Sequence, residues 1–545
     1  MKKALGVFLM TAMAFGAFAE EPVADVKIAE FSGNASVEWG VDLDSGTTGF
    51  KNGYEVDLKL NLLNNGTKST TGDGVWGELV LKTEKDTYIG WENGDDNDQV
   101  DDAYIPSNSG MNGSNGHMAL KVYVDVAKIH IGPAYIGIQR GDTQTGKLKM
   151  DAAIRSADDN QAQWLGNVGP AQYSEGIVLG VDTDVAKVDL DLRSYVDGNT
   201  HQAARKAYQY TGAYAAALEA ELKGEGIGLD GFSAKAGTSF NFAKNYQANK
   251  QAADKTDLPE TNDYLWGYSA SLAYKLGLDD TFYIRPQLGF TGQTMFYNDA
   301  DAKVKTTTTN NLAVAAGLLF GWGEIGMDKN AGVYYLDDDM AKKVSPGVGV
   351  VAYIPLPNKV TRNNDGKKFT ETTHHTLARI MPSFYSGELI PGLTAAAYAD
   401  IAVTKLAKDE ATEDKSVDYI REKGKVPMAV AFGAKYDIGV DEMTITPKFG
   451  LRFANAAYVD YKIQEKYDPV FGTMGEQKTD TEDEYGIKSA GNYLNLKLGV
   501  DVTGLVDNTT LSVTWQTDNI LNKLDYGNGN GPKLGTLNFK AKIAL

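Results

Sequence analysis

From Ala35 to Leu43 an apolar residue stands at every odd position, and from Tyr54 to Leu62 at every even one. A two-residue period is that of a β-strand, whose successive side chains point to opposite faces. Between the two runs lies Asp44-Ser45-Gly46-Thr47-Thr48-Gly49, a cluster of turn formers. The pattern is a β-hairpin with one apolar and one charged face, and it recurs to the end of the chain. Met443 to Phe453, Leu494 to Val502 and Leu537 to Leu545 all alternate in the same way. Segments of about ten residues with one apolar face have the length of tilted strands that cross a bilayer.

The connections sort by length. Working back from the C-terminus, strands are predicted near 534–545, 509–516, 491–502, 443–453, 427–438, 393–403, 377–384 and 347–354. The intervening stretches alternate between long (517–533, 454–490, 404–426, 355–376) and short (503–508, 439–442, 385–392). Bacterial outer-membrane barrels have short periplasmic turns and long external loops. In the first half, strands are predicted near 75–82, 85–91, 118–126, 128–139, 176–183, 186–196, 212–222, 232–243, 266–274, 282–288 and 312–322. The alanine-rich stretch from Gln202 to Leu222 could be helical, but the period-two run from Tyr214 to Leu222 favours a strand. Two stretches resist the pattern. Residues 323–345 break the short–long parity, through a missed strand or a long inward connection, and residues 140–175 hold no clear strand and could fold inward or form a helix.

The expected fold is therefore all-β: a transmembrane antiparallel β-barrel of about 18–20 strands with long external loops. Two alternatives stay open. One is a smaller C-terminal barrel carrying a periplasmic β-rich N-terminal domain that acts mainly as an adhesin; the other is a secreted soluble adhesin.

Residues 1–19 read as a secretory signal peptide, with Lys2-Lys3, an apolar run from Ala4 to Phe15, and the small-residue site Ala17-Phe18-Ala19. No later run approaches the roughly 18 apolar residues of a membrane helix. The chain has no cysteine, which excludes disulfides, thiol chemistry and cysteine metal sites. A net charge of −19 argues against nucleic acid as a partner.

Motifs that suggest chemistry have plainer readings. Gly226-Ile227-Gly228-Leu229-Asp230-Gly231 matches a dinucleotide-binding pattern, but strand alternation rather than a helix follows it. It is expected to be a glycine-rich turn. The acidic runs Asp95–Asp102, Asp337–Asp339 and Asp480–Glu484 lack the glycine and distal glutamate of a calcium loop and read as solvated loops. His374-His375, among five histidines in all, has no metal or triad spacing. No catalytic residue, metal or cofactor is expected. Trp39, Trp76, Trp266, Trp322 and Trp515 fall in or beside predicted strands, either as an interfacial girdle or as ordinary packing.

Alternation also assigns the face opposite the apolar one. Glu38, Asp42, Glu55, Asp57 and Lys59, then Lys187, Asp189, Asp191 and Arg193, and later Arg285, Lys448, Arg452, Lys497, Lys540 and Lys542 are predicted to line a lumen. Acids concentrate early in that series and bases late.

Trp39–Lys51, Gly141–Ala152 and Phe320-Gly321-Trp322-Gly323 resemble the treponemal major outer sheath proteins and their repeat-protein relatives, over essentially the whole chain. The resemblance implies an abundant spirochaete outer-membrane protein, in contact with outer-membrane lipid, that passes small hydrophilic solutes. It also implies assembly as a homo-oligomer, expected to be a trimer, and adhesion to host extracellular-matrix proteins. Family descriptions divide such chains into an N-terminal region, here 20–311, and a C-terminal barrel region, here 312–545. A periplasmic place is described for the first, whereas alternation as regular as Tyr54 to Leu62 favours both halves forming one barrel. For the adhesive role, the loop from Ala454 to Ala490 is the candidate, with Tyr458, Tyr461, Tyr467 and Phe471 as anchors.

Overall fold

A computed structural model describes residues 29–63, 75–83, 122–139, 150–155, 174–195, 213–244, 262–298, 306–326, 343–356, 358–364, 367–373, 378–387, 389–403, 426–458, 467–468, 472–473, 492–517, 519–521 and 534–544. The stretches 1–19, 85–91, 95–102, 337–339, 374–375 and 480–484, which the sequence singles out, lie outside the described residues.

One antiparallel sheet of 24 strands dominates the fold. Twenty of its strands form a ring, taken in chain order: β1 (Ala29–Asp42), β2 (Thr48–Leu63), β3 (Val75–Thr83), β4 (Val122–Ile131), β5 (Ala134–Gln139), β6 (Ser174–Asp182), β7 (Ala186–Tyr195), β8 (Ala213–Lys223), β9 (Phe232–Lys244), β10 (Asn262–Tyr274), β11 (Tyr283–Asn298), β12 (Thr306–Gly321), β13 (Gly347–Pro355), β14 (Ala378–Tyr385), β15 (Leu393–Val403), β16 (Met428–Tyr436), β17 (Met443–Ala454), β18 (Tyr493–Thr503), β19 (Thr509–Gln516) and β20 (Thr536–Ala544). The remaining four are the continuations Leu276–Gly277 and Ile438–Val440, and a hairpin of Asn358–Asn364 with Lys367–Thr373. Each ring strand pairs with its neighbours in sequence, and β1 pairs with both β2 and β20, with Glu38 opposite Lys540. The sheet is a closed barrel, which leaves no ring strand with an open edge.

Both halves of the chain enter one sheet without a seam: β12 pairs with β11 on one side and β13 on the other. The strand direction places the connections. Those after odd-numbered strands share one rim and include most of the long stretches; those after even-numbered strands share the other and are mostly short. The chain turns in two residues at Gly132-Pro133 and in three at Thr183–Val185. At Asp279 the carboxylate accepts amide hydrogen bonds from Phe282 at 2.7 Å and Thr281 at 2.8 Å. Those two bonds hold its pKa below the ordinary carboxylate value. The Gly226–Gly231 motif is a turn, with a 3₁₀ segment at Glu225–Ile227 and positive φ at Gly228 and Gly231; no helix follows, as expected.

Elsewhere the structure corrects the expected boundaries. Strands read at 118–126 and 128–139 are instead Val122–Ile131 and Ala134–Gln139, turning at Gly132-Pro133. The cause is a bulge: Val80 pairs with Val126 and Leu81 with Val124, leaving Asp125 as the extra residue. The bulge breaks the alternation that sequence reading relies on. The long stretch 355–376 contains the hairpin 358–373, which pairs with Thr306–Asn310 and so extends the sheet beyond the long-loop rim.

The two stretches that resisted a strand reading meet each other. Ile154–Arg155 pairs with Lys343–Val344 as a separate two-stranded ribbon packed on the concave face. Around it lies the main apolar core: Met150, Ala152, Ala153, Ile154 and Val344 against Leu319, Val351, Tyr353, Met381 and Ala396. Small residues of the same cluster, Ala315, Ala396 and Ala431, leave room on the wall for the ribbon, and burying Met150 and Ile154 contributes about 1.5–3 kcal/mol each. The core of this barrel thus sits inside its lumen, on one side.

Candidate functional site

The concave face of the barrel divides into two unlike walls. Along β20 and β1–β9 it carries charged side chains in ion pairs, most of them across neighbouring strands. Lys540 meets Glu38 at 3.7 Å, Lys59 meets Glu78 at 3.8 Å, and Lys82 meets Asp125 at 3.2 Å. The bulge turns Asp125 to this face. Lys187 meets Asp189 at 2.9 Å, and Lys235 meets Glu221 at 3.0 Å. Lys128 stands among Glu78, Asp189, Lys187 and Asp191, with its Nζ 4.9 Å from the Tyr135 ring centroid. His130 stacks on Trp76 at 3.8 Å and approaches Glu78 at 3.7 Å. Tyr135 lies across the glycine of the next strand: a Cβ at Gly180 would come within 2.1 Å of its ring, so a side chain there would displace the ring.

Along β11–β16 the same face is covered. Arg285 donates from Nε to Asp151 at 2.8 Å, while Gln287 receives the Asp151 amide at 2.6 Å and donates to its carbonyl at 2.7 Å. The Ala153 amide donates to Ser383 Oγ at 3.0 Å, and the Ser345 amide to the Ala153 carbonyl at 3.0 Å. Four of these contacts fix the inward residues to the wall, near the short-turn rim where β11 begins, and the fifth joins the two inward segments to each other. At the other rim, Arg379 and Asp400 form an ion pair that is almost wholly enclosed, and Tyr458 donates its hydroxyl to Asp400 at 2.7 Å. Ala402, Ala429, Ala454 and Tyr493 are buried around it.

The predicted lumen residues distribute as follows. Glu38, Lys59, Lys187, Asp189 and Lys540 take part in the exposed ion pairs, and Asp191 lies on the same face of β7. Arg285 holds the inward segment. Lys448 pairs with Asp501 at 2.6 Å. Arg452 and Lys497 share a concave face with buried Ala431, Asn495 and Tyr493, and Lys542 stands two residues beyond Lys540 on β20. Asp42 is at the barrel's rim, where its carboxylate accepts the amides of Asp44 and Ser45 at 2.8 and 3.1 Å; it builds the turn, not the channel wall. The side chains of Glu55, Asp57 and Arg193 lie outside the described residues, although their backbones are in β2 and β7.

Both signs occur in each half of the barrel: beside the early acids stand Lys59, Lys82, Lys128 and Lys235, and beside the late bases Asp400 and Asp501, because antiparallel neighbours bring opposite charges side by side. Among the adhesive anchors, Tyr458 is corrected: it is fully buried and committed to Asp400, so it has no surface to offer. Tyr461 and Phe471 and the side chain of Tyr467 lie outside the described residues. Sequence reading missed Arg379 and Asp400; both obey the alternation of β14 and β15 and could have been found from it.

The convex face is the reverse of the concave one. Val37, Ile129, Ile136, Leu218, Phe240, Leu288, Val350, Leu498 and Val513 all stand exposed on it. Aromatic residues gather near its rims. Trp39 packs on Phe539 at 5.4 Å, and Trp266 and Trp515 donate from Nε1 to Thr238 Oγ1 and the Leu534 carbonyl; all three sit toward the long-loop rim. Phe282, Phe320, Trp322 and Phe384 form a group at the short-turn rim. Trp76, stacked inward, is the exception among the five tryptophans of the described residues.

No family model matches the chain. Two curated relatives match it over the full length of both partners. Major surface protein MspTL of Treponema lecithinolyticum is 28% identical over 656 aligned residues, and Major outer membrane protein MspA of Treponema maltophilum 28% over 634. Both carry names of the treponemal surface-protein family that the motifs at Trp39–Lys51 and Gly141–Ala152 resemble. Among solved structures, OpdQ of Pseudomonas aeruginosa aligns over 95% of this chain and 98% of its own at 9% identity, with a TM-score of 0.33, too loose a superposition to carry an argument.

Proposed function

We propose that this full-length relative of treponemal major surface proteins is an outer-membrane porin. One observation carries the reading. The closed sheet turns large apolar side chains outward and paired charges inward, which inverts a soluble protein and suits a barrel between lipid and water. The two aromatic groups then mark the membrane interfaces. Short turns face the periplasm and long loops the outside, in keeping with the localisation that the relatives' names record.

Water along the ion-paired wall passes small hydrophilic solutes by diffusion. Wall charges of both signs largely cancel, so the net −19 resides mainly beyond the paired wall, where salt screens it within about 8–10 Å. Reconstituted in planar bilayers, the protein is expected to give stable conductance steps with a mild cation preference that strengthens at low salt. A strongly anion-selective reversal potential would refute the wall assignment, and a well-inserted sample with no channel would refute the porin reading. Contact with host matrix proteins is assigned to the external loops, with the loop after Tyr458 the leading candidate, since exposed loops carry recognition. Assembly as a homo-oligomer, expected to be a trimer, completes the reading and follows from the family resemblance.

A further inference from the structure

We infer that solutes cross this barrel through an eccentric lane along β20 and β1–β9, and that the face of β11–β16 is covered by the protein's own inward residues 150–155 and 343–345. The inference rests on the porin reading and names the path within it.

The two walls differ in what water reaches. On the charged wall, Lys235 and Glu221 keep 49% and 27% of their side-chain surface, and Lys540 and Glu38 keep 41% and 26%. On the opposite wall, Ala396 and Ala429 keep none and Ala431 1%. That covering is not a loose loop. Asp151 is held by Arg285 and by both ends of the Gln287 amide, Ala153 by Ser383, and Val344 by the ribbon with Ile154. The apolar core behind these contacts excludes water from the wall it covers. A second cover lies toward the outer rim, where Tyr458 ties the root of the long loop to Asp400.

Sequence chemistry agrees with this division. Apart from the enclosed Asp400 and from Lys435, near the strand ends, β15 and β16 are largely apolar or small on both faces: Ala396, Ala429 and Ala431 inward, Ala395, Ala397 and Val430 on the alternate positions. A strand covered on both sides reads that way. Strand β7 turns Lys187, Asp189 and Asp191 inward and β8 turns Glu219 and Glu221 inward, with Asp189 directly opposite Glu219 and Lys187 opposite Glu221; toward the long-loop rim the inward positions of β8 pass to Ala215 and the buried Ala217. Solutes in the lane therefore meet fixed charges of both signs on one side and the backs of the inward residues on the other. Such a lane favours small polar and charged solutes of either sign and disfavours apolar ones.

The absence of cysteine makes the test direct. Single variants Glu219→Cys, Lys235→Cys and Lys82→Cys on one wall, and Ala396→Cys and Ala431→Cys on the other, are reconstituted and selected for channels that conduct. Each is exposed to a charged, membrane-impermeant methanethiosulfonate while current is recorded, and labelling is quantified by mass. The lane positions are expected to react at least about tenfold faster than the covered ones, which need local opening first, and their reaction to reduce the current stepwise. Equal labelling of both walls, or faster labelling at Ala396→Cys and Ala431→Cys, would overturn the lane. A sample that never conducts reports instead on the porin reading, so the two failures are distinct.

Discussion

Leu218→Arg is expected to destabilise the barrel by about 2–4 kcal/mol when folded into lipid vesicles, while Glu219→Gln, one residue on, shifts stability by no more than about 0.5 kcal/mol. Leu218 stands midway along β8, between Leu190 and Thr238, and is 42% exposed on the convex face. If that face meets hydrocarbon, a guanidinium there loses its hydration. Glu219 points the other way, into an aqueous lumen, where removing one of several charges changes little. Denaturant titration in vesicles, followed by the mobility of folded and unfolded forms on a gel, measures both. A convex face bathed in water would instead tolerate Leu218→Arg as any exposed substitution, and the two variants would behave alike.

A similar loss, about 3–5 kcal/mol, is expected for Arg379→Met, for a different reason. Asp400 is fully enclosed, and its charge is met by the Arg379 guanidinium and the Tyr458 hydroxyl. Removing the cation strands a carboxylate out of contact with water. The double variant Arg379→Met/Asp400→Leu is expected to recover most of the loss, because an apolar pair of similar volume no longer has a charge to desolvate. If the double variant were as unstable as the single one, the cost would lie in packing rather than in the uncompensated charge.

Much of this architecture is legible in the chain. Alternation places nearly all of the ring strands, since the convex face must be apolar wherever it faces lipid and the pleat fixes the period at two. The sorting of connection lengths gives the two rims. What escapes is where the period is broken or both faces look alike. The bulge at Asp125 adds a residue and moves the expected turn from near Ala127 to Gly132-Pro133. The hairpin at 358–373, rich in threonine and lysine, has no apolar face to announce it because it stands beyond the rim. The inward ribbon uses only two residues from each partner, too few to carry a period; its trace is the broken parity at 323–345 and the doubly apolar strands that receive it. For the site, alternation says which side chains face inward but not which of those are covered. Arg285 and Lys235 look equivalent in sequence, yet one anchors the inward segment and the other stands open to solvent.

The claim on which everything else depends is that residues from both halves of the chain close into one barrel, with β1 hydrogen-bonded to β20. A Glu38→Cys/Lys540→Cys pair tests it, with Lys448→Cys/Asp501→Cys as an internal control within the C-terminal half; each pair already brings its side chains together across neighbouring strands. Treated with a short thiol cross-linker in intact outer membranes, both pairs are expected to cross-link, and the first should close nearly the whole chain into a loop that migrates anomalously when unfolded. Efficient cross-linking of the control with none between positions 38 and 540 would contradict the single barrel and leave the N-terminal half outside it.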